Sequence, residues 1–315
     1  MKKIILDADT GIDDALAILY ALGSNECELI GITSIYGNVS VDTSVENSLS
    51  ILDLVEHQNI PVYKGSEAKL GSDTYERREI TKKIHGHDGI GDVHIPKSTR
   101  SAESKNAVDF LIEACEEHGS ELTIVATSPL TNLAKAFTKA PESIKKVGKI
   151  VIMGGALTVT GNVTPYAEAN IIEDPNAAKT IFESGLPIVM VGLDVTMRTL
   201  ITLNETKALR KLNTKNSELI ADMIDFYFRS YEGRLSWVYG CPLHDPLAVG
   251  IALHPELAST LAIDLTVETS GASKGRTIGL MDKLNEGSPS TEVCVQVDES
   301  KFIELFMESL NNICK

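Results

Sequence analysis

The chain has 315 residues, 43% of them hydrophobic, which is enough for a packed core in one large α/β domain or two small ones. Its formal net charge of −15 argues against nucleic acid as a partner, because nucleic-acid binders usually carry a basic face. No apolar run approaches ~18 residues, so we expect no membrane span and no membrane partner. The five scattered cysteines and the absence of a signal-peptide pattern predict free thiols and a cytoplasmic protein.

Apolar runs of strand length alternate with helical patterns over the first two-thirds of the chain. The predicted strands are 3–7, 28–35, 60–63, 122–127, 148–153, 187–192, 261–267, 276–281 and 292–297. The predicted helices are 13–22, 41–58, 104–118, 131–140, 174–184, 204–212, 216–231, 245–253 and 299–312. This alternation predicts a single α/β domain over 1–315, with an open, mostly parallel sheet and helices on both faces. The last strands are closely spaced, so we expect a hairpin or an extension of the sheet edge.

The stretch 64–100 is polar and rich in glycine, with few periodic apolar positions. A loop of this length in a compact domain is usually functional. Within it, His85 and His87 lack the spacing and the soft partners of a zinc site. The glycines that follow His85 favour a mobile lid instead.

Polar or glycine-rich residues follow several of the predicted parallel strands. In open parallel sheets, ligands bind beyond the carboxyl ends of the strands. The residues at these ends are Asp9, Tyr36-Gly37-Asn38, Thr127-Ser128-Pro129, Met153-Gly154-Gly155 and Asp194. Their recurrence predicts one shared site along a rim of the sheet.

Four carboxylates, on Asp7, Asp9, Asp13 and Asp14, lie within eight residues around the end of the first strand. Carboxylates this close repel each other unless they are solvated, protonated or neutralised by a cation. The flanking residues are too apolar for a solvated acidic segment, so the sequence predicts a bound hard cation. Helix capping explains Asp13 or Asp14 but not the whole set. Asp7, inside the strand, is equally compatible with a supporting role behind the site.

Two named acidic motifs can be compared with this cluster. An EF-hand loop starting at Asp7 would need Gly and Glu where the chain has Ile12 and Ile18, so that motif is excluded. The run Asp7-Ala8-Asp9-Thr10 is closer to the D-x-D-x-[T/V] signature of haloacid-dehalogenase-like phosphatases. Gly11 at the fifth position and the lack of a late acidic pair after a strand leave this magnesium phosphatase as the alternative.

The region 227–246 carries ionisable and aromatic candidates. Asp245, which precedes a proline, is compatible with an N-cap and also with a further oxygen ligand, and His244 with a proton donor near neutral pH. Tyr227 and Tyr231 share a helix face, with Trp237 beyond them. Such a stripe is more often core than a ligand contact.

The segment 161–170 is polar and loop-like. Asn162, Glu168 and Asn170 carry hydrogen-bonding groups that suit a polyhydroxylated ligand. Turns and helix caps use the same residue types, so these residues taken alone are as well explained by local structure.

Taken in order, these motifs closely resemble the nucleoside hydrolase family of the inosine–uridine-preferring type. The matching segments are Asp7 to Ala15, Tyr36-Gly37-Asn38, Thr127 to Asn132, Met153-Gly154-Gly155, Gly161-Asn162, Glu168-Ala169-Asn170 and His244-Asp245-Pro246. They span residues 1 to about 250 in family order. The resemblance implies a Rossmann-like core, Ca²⁺-dependent hydrolysis of ribonucleosides to ribose and free base, and a homodimer or homotetramer.

The resemblance also implies a role for each matching residue. The implied Ca²⁺ ligands are Asp9, Asp14, Asp245 and the backbone carbonyl of Thr127. The implied substrate contacts are Asp13 and Asn170 with the ribose diol, Asn162 and Glu168 with the 5′-hydroxyl, Asn38 and Met153 in the sugar pocket, and His85 and His244 near the base. Asp9 is the implied general base. His244 is the candidate acid for the leaving base, with Tyr227 or Tyr231 as alternatives.

Elementary chemistry agrees with this assignment. Ca²⁺ takes six to eight oxygen ligands and lowers the pKa of its water, from which Asp9 would remove a proton. Direct attack by water predicts inversion at the anomeric carbon. Ala169 replaces an aromatic residue of many family members, which leaves base preference open, and the two histidines favour a pyrimidine or mixed specificity. A nucleoside binder without turnover would not need a water-activating base.

Overall fold

The computed structural model describes residues 1–232, 239–283 and 287–315. The strands are β1 (Lys2–Ala8), β2 (Cys27–Ser34), β3 (Val62–Lys64), β4 (Leu122–Ala126), β5 (Lys149–Met153), β6 (Ile188–Val191), β7 (Leu200–Ile201), β8 (Cys241–Pro242), β9 (Ala258–Ala262), β10 (Leu265–Val267), β11 (Thr277–Gly279) and β12 (Thr291–Val297). The α-helices are α1 (Ile12–Gly23), α2 (Val41–Leu54), α3 (Glu79–His85), α4 (Ala107–His118), α5 (Thr131–Lys139), α6 (Pro141–Ile144), α7 (Ala169–Glu173), α8 (Pro175–Phe182), α9 (Leu193–Thr196), α10 (Leu203–Arg210), α11 (Lys215–Glu232), α12 (His244–Leu253) and α13 (Glu299–Ile313). None of these helices is both long and apolar enough to cross a membrane.

Within the described ranges, eight strands form one sheet in the order β3-β2-β1-β4-β5-β6-β12-β9. Each strand pairs in parallel with its neighbour, except that β12 and β9 are antiparallel. The order β3-β2-β1-β4-β5-β6 is that of doubly wound α/β folds, in which crossovers return each strand to the same direction. The predicted α/β fold with an open, mostly parallel sheet is therefore confirmed.

Helices cover both faces of this sheet because its strands are apolar on both sides. In β1, Ile4 and Leu6 pack into one apolar cluster and Ile5 into another. Successive side chains of a strand point to opposite faces, so β1 needs a helical layer on each face. Side chains of α1, α2, α11, α12 and α13 contribute to the first cluster, and side chains of α4, α5 and α8 to the second.

The elements predicted from periodicity are present, with shifted ends. The helix predicted over 41–58 ends at Leu54, because Glu56 adopts a φ of 63°, which an α-helix cannot accommodate. The strand predicted over 261–267 is two strands, β9 and β10. Both expectations for the last strands hold, since β9 and β12 extend the sheet and β10 pairs with β11 as an antiparallel hairpin.

The segment 64–100 is not the continuous loop that its composition predicts, because it contains α3. This helix has only seven residues, of which Thr81 and His85 are buried, so its periodic signal is too short to recognise. The glycines that follow it, Gly86, Gly89 and Gly91, all have positive φ, as their sequence pattern requires. The mobility of this lid remains a prediction.

Candidate active site

A cavity of about 760 Å³ opens at the carboxyl edge of the sheet. It lies beyond β1 and β4, between which the strand order reverses, where α/β sheets usually bind their ligands. The candidate residues that line it are Asp13, Asn38, His85, Thr127, Met153, Asn162, Glu168, Asn170, Tyr227, Tyr231, His244 and Asp245. The other two candidates, Asp9 and Asp14, lie beneath this lining and are 1% and 0% exposed. The fold therefore assembles the predicted rim site from residues more than 200 positions apart.

Two helix N-termini form the acidic floor of the cavity. Asp13 and Asp14 lie in the first turn of α1, and Asp245 lies in the first turn of α12. The positive end of each helix dipole favours carboxylates at these positions. Carboxylate oxygens of the three residues come within 4.8 Å of one another, and all three side chains are buried. This spacing and the all-oxygen donor set can hold a hard metal ion.

Asp9 is held beside this floor by the turn after β2. The Asn38 backbone N–H donates to Asp9 Oδ2 at 2.6 Å, and Asn38 Nδ2 donates to Asp9 Oδ1 at 3.1 Å and to Asp14 Oδ2 at 3.2 Å. Gly37, at a φ of 155°, permits this approach, since a Cβ there would lie 1.8 Å from Asp9 Oδ2. Asn38 thus orients the two carboxylates as well as lining the cavity.

Thr127, beyond β4, joins the floor to the opposite wall. Its hydroxyl donates to Asp14 Oδ1 at 2.8 Å, and its carbonyl accepts from Asn170 Nδ2 at 3.0 Å. Asn170 Nδ2 also donates to the Met153 carbonyl at 3.1 Å. The ends of β4 and β5 and the start of α7 are therefore locked together beside the carboxylates.

Burial and mutual repulsion raise the pKa values of the floor carboxyls. Burial is the largest cause at each position, and it raises the pKa of Asp13 to about 7 and those of Asp9 and Asp245 well above their usual range. The charge of Asp14 adds to the shift at all three. Asp13 Oδ1 is buried and accepts no hydrogen bond among the described residues. A cation in the cluster would relieve this repulsion and occupy the free lone pairs, so the residues fit a divalent oxygen-liganded ion.

The tightest carboxylate group differs in one member from the ligand set that the resemblance implies. Asp13, expected to contact the ribose diol, belongs to this group together with Asp14 and Asp245. Asp9 is outside this group, but Asn38 Nδ2 donates to the carboxylates of both Asp9 and Asp14. The roles of Asp9 as ligand and as base remain predictions.

Hydrogen bonds connect Thr196, His244 and Tyr231 at the aromatic end of the cavity. His244 Nδ1 lies 2.8 Å from Thr196 Oγ1, and His244 Nε2 lies 3.1 Å from the hydroxyl of Tyr231. Burial lowers the pKa of His244 to about 4. His244 is therefore a neutral imidazole near pH 7, and its role as proton donor remains a prediction. Each ring nitrogen faces a hydroxyl, which can donate to it or accept from it.

Tyr227 and His85 meet the floor from the other side. The Tyr227 hydroxyl donates to Asp13 Oδ2 at 3.2 Å. The Ile12 backbone N–H donates to His85 Nδ1 at 3.2 Å, which leaves the proton of a neutral His85 on Nε2. The two tyrosines are both core and site residues, since they are buried and also line the cavity. Trp237 lies outside the described residues.

Glu168 acts as a helix cap at the edge of the cavity. Its carboxylate accepts from the backbone N–H groups of Asn170 at 2.9 Å, Gly155 at 3.0 Å and Ile171 at 3.2 Å. Burial raises its pKa, and these donors oppose that shift. The local-structure explanation thus holds for Glu168, although it also lines the cavity. Asn162 is exposed at the rim.

Asp7 supports the site from behind and does not line the cavity. Its Oδ1 accepts from Thr33 Oγ1 at 2.6 Å and from Asn132 Nδ2 at 2.8 Å, and the side chain is fully buried. A nucleophile that forms an aspartyl-phosphate must be reachable by its substrate, so this position does not support the phosphatase alternative.

Several cavity residues have no counterpart among the sequence candidates. They are Arg78, Ile80, Thr81, Ile84, Val159, Thr160, Val163, Leu193 and Met197. The polar stretch 64–100 was the available signal for those on and next to α3. The segment around Val159 is anchored by Asp194, whose carboxylate accepts from the backbone N–H groups of Leu157 at 3.0 Å and Thr158 at 2.7 Å. The position of Asp194 at the end of a strand does not by itself predict this anchoring role.

Comparisons with known proteins cover almost the whole chain. The model of a family described as inosine-uridine preferring nucleoside hydrolase matches residues 4–304. A probable uridine nucleosidase 2 of Arabidopsis thaliana is 37% identical, over 98% of this chain and 97% of its own length. A pyrimidine-specific ribonucleoside hydrolase, RihA, of Enterobacter sp. is also 37% identical over the same shares of the two chains.

Two solved structures show the same fold at high similarity. A purine-preferring ribonucleoside hydrolase from Gardnerella vaginalis superposes with a TM-score of 0.98 at 50% identity, covering 100% of this chain and 99% of that one. A plant nucleoside hydrolase, PpNRh1, superposes with a TM-score of 0.93 at 37% identity, covering 98% of both chains. The names of the relatives include purine and pyrimidine preferences.

Proposed function

This chain belongs to the inosine-uridine preferring nucleoside hydrolase family, and we propose that it hydrolyses purine and pyrimidine ribonucleosides at this cavity with the help of Ca²⁺. The observation that carries the proposal is the buried group of Asp13, Asp14 and Asp245. Such a group is costly without a cation, and it lies where an α/β sheet binds its ligand.

We assign the ion to Asp9, Asp14, Asp245 and the carbonyl of Thr127, with Asp13 close enough to join them. Oxygen donors alone suit Ca²⁺ and Mg²⁺ better than softer metals, and a chelating ribose diol favours the larger ion with its higher coordination number. When bound, the ion supplies positive charge that makes water in the site more acidic.

Asp9 is the general base of the proposed reaction. Its Oδ1, at 3.1 Å from Asn38 Nδ2, is less strongly held than Oδ2 and takes the proton of the attacking water. Asn38 keeps the carboxylate from rotating while it does so. Because water attacks directly, the product is ribose with inverted configuration at the anomeric carbon.

The other residues hold the sugar and stabilise its charge. Asp13 and Asn170 bind the ribose diol, Asn162 and Glu168 contact the 5′-hydroxyl, and Met153 and Asn38 line the sugar pocket. Breaking the C–N bond places positive charge on the ribose, which the surrounding carboxylates stabilise in a site shielded from water.

The leaving base receives a proton or a hydrogen bond from the aromatic end of the cavity. Tyr231 is joined to the neutral His244, and Thr196 closes the chain behind it. A neutral imidazole can donate its N–H and accept from a hydroxyl in the same event, so we assign the proton supply to the Tyr231–His244 pair. His85 and Tyr227 contact the base from the other side.

A substrate panel tests the proposal directly. Inosine, adenosine, uridine and cytidine are incubated with the protein and Ca²⁺, and release of reducing sugar is measured. The same panel is then run after chelation and after restoring Ca²⁺ or Mg²⁺. Release of sugar from purine and pyrimidine ribonucleosides, lost on chelation and restored best by Ca²⁺, supports the proposal. No release from any nucleoside, or full activity in the chelator, contradicts it.

We also propose three properties of the whole molecule. Residues 1–315 form one catalytic domain, since both sides of a single sheet are covered by helices from the entire chain. The protein is cytoplasmic, since all five cysteines are free and buried. It is a homodimer or homotetramer, by analogy with its family, which analytical ultracentrifugation would test.

A further inference from the structure

Arg78 lines the cavity and has no assigned role. Of the lining residues in the described part of the chain, it is the one lysine or arginine. Its Nε lies 2.7 Å from Oε1 of Glu173, with side-chain exposures of 31% and 19%. This pairing is partly buried, so solvent and salt weaken it less than they weaken a surface ion pair.

The two residues belong to different helical segments beside the cavity. Arg78 immediately precedes α3, which ends at His85. Glu173 ends α7, three residues after Asn170, so both side chains lie on one face of that helix. The ion pair therefore joins the segment that carries His85 to the helix that carries Asn170.

A second arginine, Arg77, links the segment before α3 to the segment after it. Arg77 Nη2 donates to the Gly86 carbonyl and Nη1 to the His87 carbonyl, each at 2.8 Å. These bonds tie the residue before the helix to the residues just after it. We therefore expect a shift at Arg78 to reach His85, whose ring accepts a hydrogen bond from the Ile12 backbone N–H at the N-terminus of α1.

The charge around Arg78 favours a role in joining these segments over a role in binding an anionic substrate group. Its positive charge lowers the pKa of Glu173 and of the nearby Glu168, against the rise that burial causes in both. The guanidinium is already paired with Glu173 and has Glu168 nearby, so it is less available to an anion such as a 5′-phosphate.

We propose that Arg78 and Glu173 form a strap beside the cavity that joins α3 to α7 and so positions α3, and with it His85, at the bound nucleoside. Both are positioning residues, because they act through α3. The inference rests on the proposed function for its kinetic consequence, but the strap itself is a property of the fold. Loss of the strap leaves the acidic floor intact, so it weakens substrate binding and spares the chemical step.

The test uses single and paired charge changes in the full chain. Arg78→Ala and Glu173→Gln should each raise KM about fivefold with little change in kcat, as expected for a partly buried ion pair. Arg78→Lys should lie between Arg78→Ala and wild type. The swapped variant, with Arg78→Glu and Glu173→Arg together, should recover most of the loss. The matched control is Arg198→Ala, which removes the exposed pair of Arg198 with Glu299 at 2.8 Å, neither of which lines the cavity.

Hydrogen exchange makes the test independent of turnover. Amides of residues 79–85 should exchange faster in Arg78→Ala than in wild type, and as in wild type in Arg198→Ala. An unchanged KM in Arg78→Ala, unchanged exchange in α3, or no rescue by the swap would each overturn the strap. If wild type releases no ribose, the proposed function fails. The exchange of residues 79–85 would then alone support or overturn the strap.

Discussion

The floor and the rim of the cavity differ in burial and in the structural elements that carry them. The floor consists of Asp13, Asp14 and Asp245, with Asp9 beside it. These residues are at most 6% exposed and lie in the first turns of two helices and at the end of a strand. The rim carries Val159 and Ile80, which are 45% and 38% exposed. Val159 lies in an irregular segment and Ile80 in the short helix α3. The hydrogen bonds that orient the floor carboxylates connect them to the core, whereas only a few polar contacts hold the rim segments in place. We therefore expect substitutions in the floor to change turnover and substitutions at the rim to change the preference among nucleobases.

The largest expected effect is that of Asp9→Ala. Removing the proposed base should lower kcat by roughly 10²- to 10⁴-fold while the fold survives, because a general base contributes that much to a reaction. Stopped assays of ribose release and a thermal unfolding curve measure the two effects. The control is Asp222→Ala, at an exposed carboxylate of α11 far along the chain. Near-wild-type turnover would exclude Asp9 as the base.

The next largest effect should be that of Asp245→Asn, which should lower the affinity of the protein for Ca²⁺. Replacing one charged ligand should weaken Ca²⁺ binding by roughly 100-fold, and saturating Ca²⁺ should restore part of the activity. Calorimetric titration of the chelated protein measures the affinity. Equal Ca²⁺ affinity in the variant and wild type would remove Asp245 from the ion site and with it the two-helix floor.

The third prediction concerns the stability of metal-free protein and uses Asp7 to separate the floor from its support. Burial raises the pKa of Asp7 to about 6 in the folded state. A raised folded-state pKa contributes stability below the unfolded value near 4, and that stability is lost as the pH rises through about 6. Raising the pKa of Asp7 from about 4 to about 6 corresponds to about 3 kcal/mol of unfolding free energy.

Chelated wild type should therefore be less stable to urea at pH 8 than at pH 5, and Asp7→Asn should flatten this dependence. Ca²⁺ should reduce the part that comes from Asp13, whose raised pKa of about 7 lies in the same direction. A stability that rises from pH 5 to pH 8 in chelated wild type would contradict the raised pKa values.

The smallest expected effect is at the rim. Val159→Ala removes exposed apolar surface at the mouth and should change KM by less than about threefold, by different factors for uridine and inosine, with kcat and Ca²⁺ affinity unchanged. Steady-state kinetics with the two nucleosides measures this. A large fall in kcat would show that the rim takes part in the chemistry and would remove the distinction between the regions.

Local rules accounted for the floor and its partners. Asp9, Asn38 and Thr127 each follow a strand, so a parallel sheet had to bring them to one edge. The segments that local rules missed are short. The helices α3, α7 and α9 have seven, five and four residues, too few for a period to emerge, and their stability comes from packing and from bonds such as those of Arg77 and Asp194.

By itself, the sequence determined the fold class, the order in which polar residues follow the strands, and the family. It could do so because apolar periodicity and motif order are properties of the chain. Only the tertiary structure decided that Asp13 lies with Asp14 and Asp245 in one carboxylate group, that burial lowers the pKa of His244, and that Arg78 pairs with Glu173 beside the cavity. These depend on burial and on distances between residues far apart in the chain. Neither is encoded in any single stretch of residues.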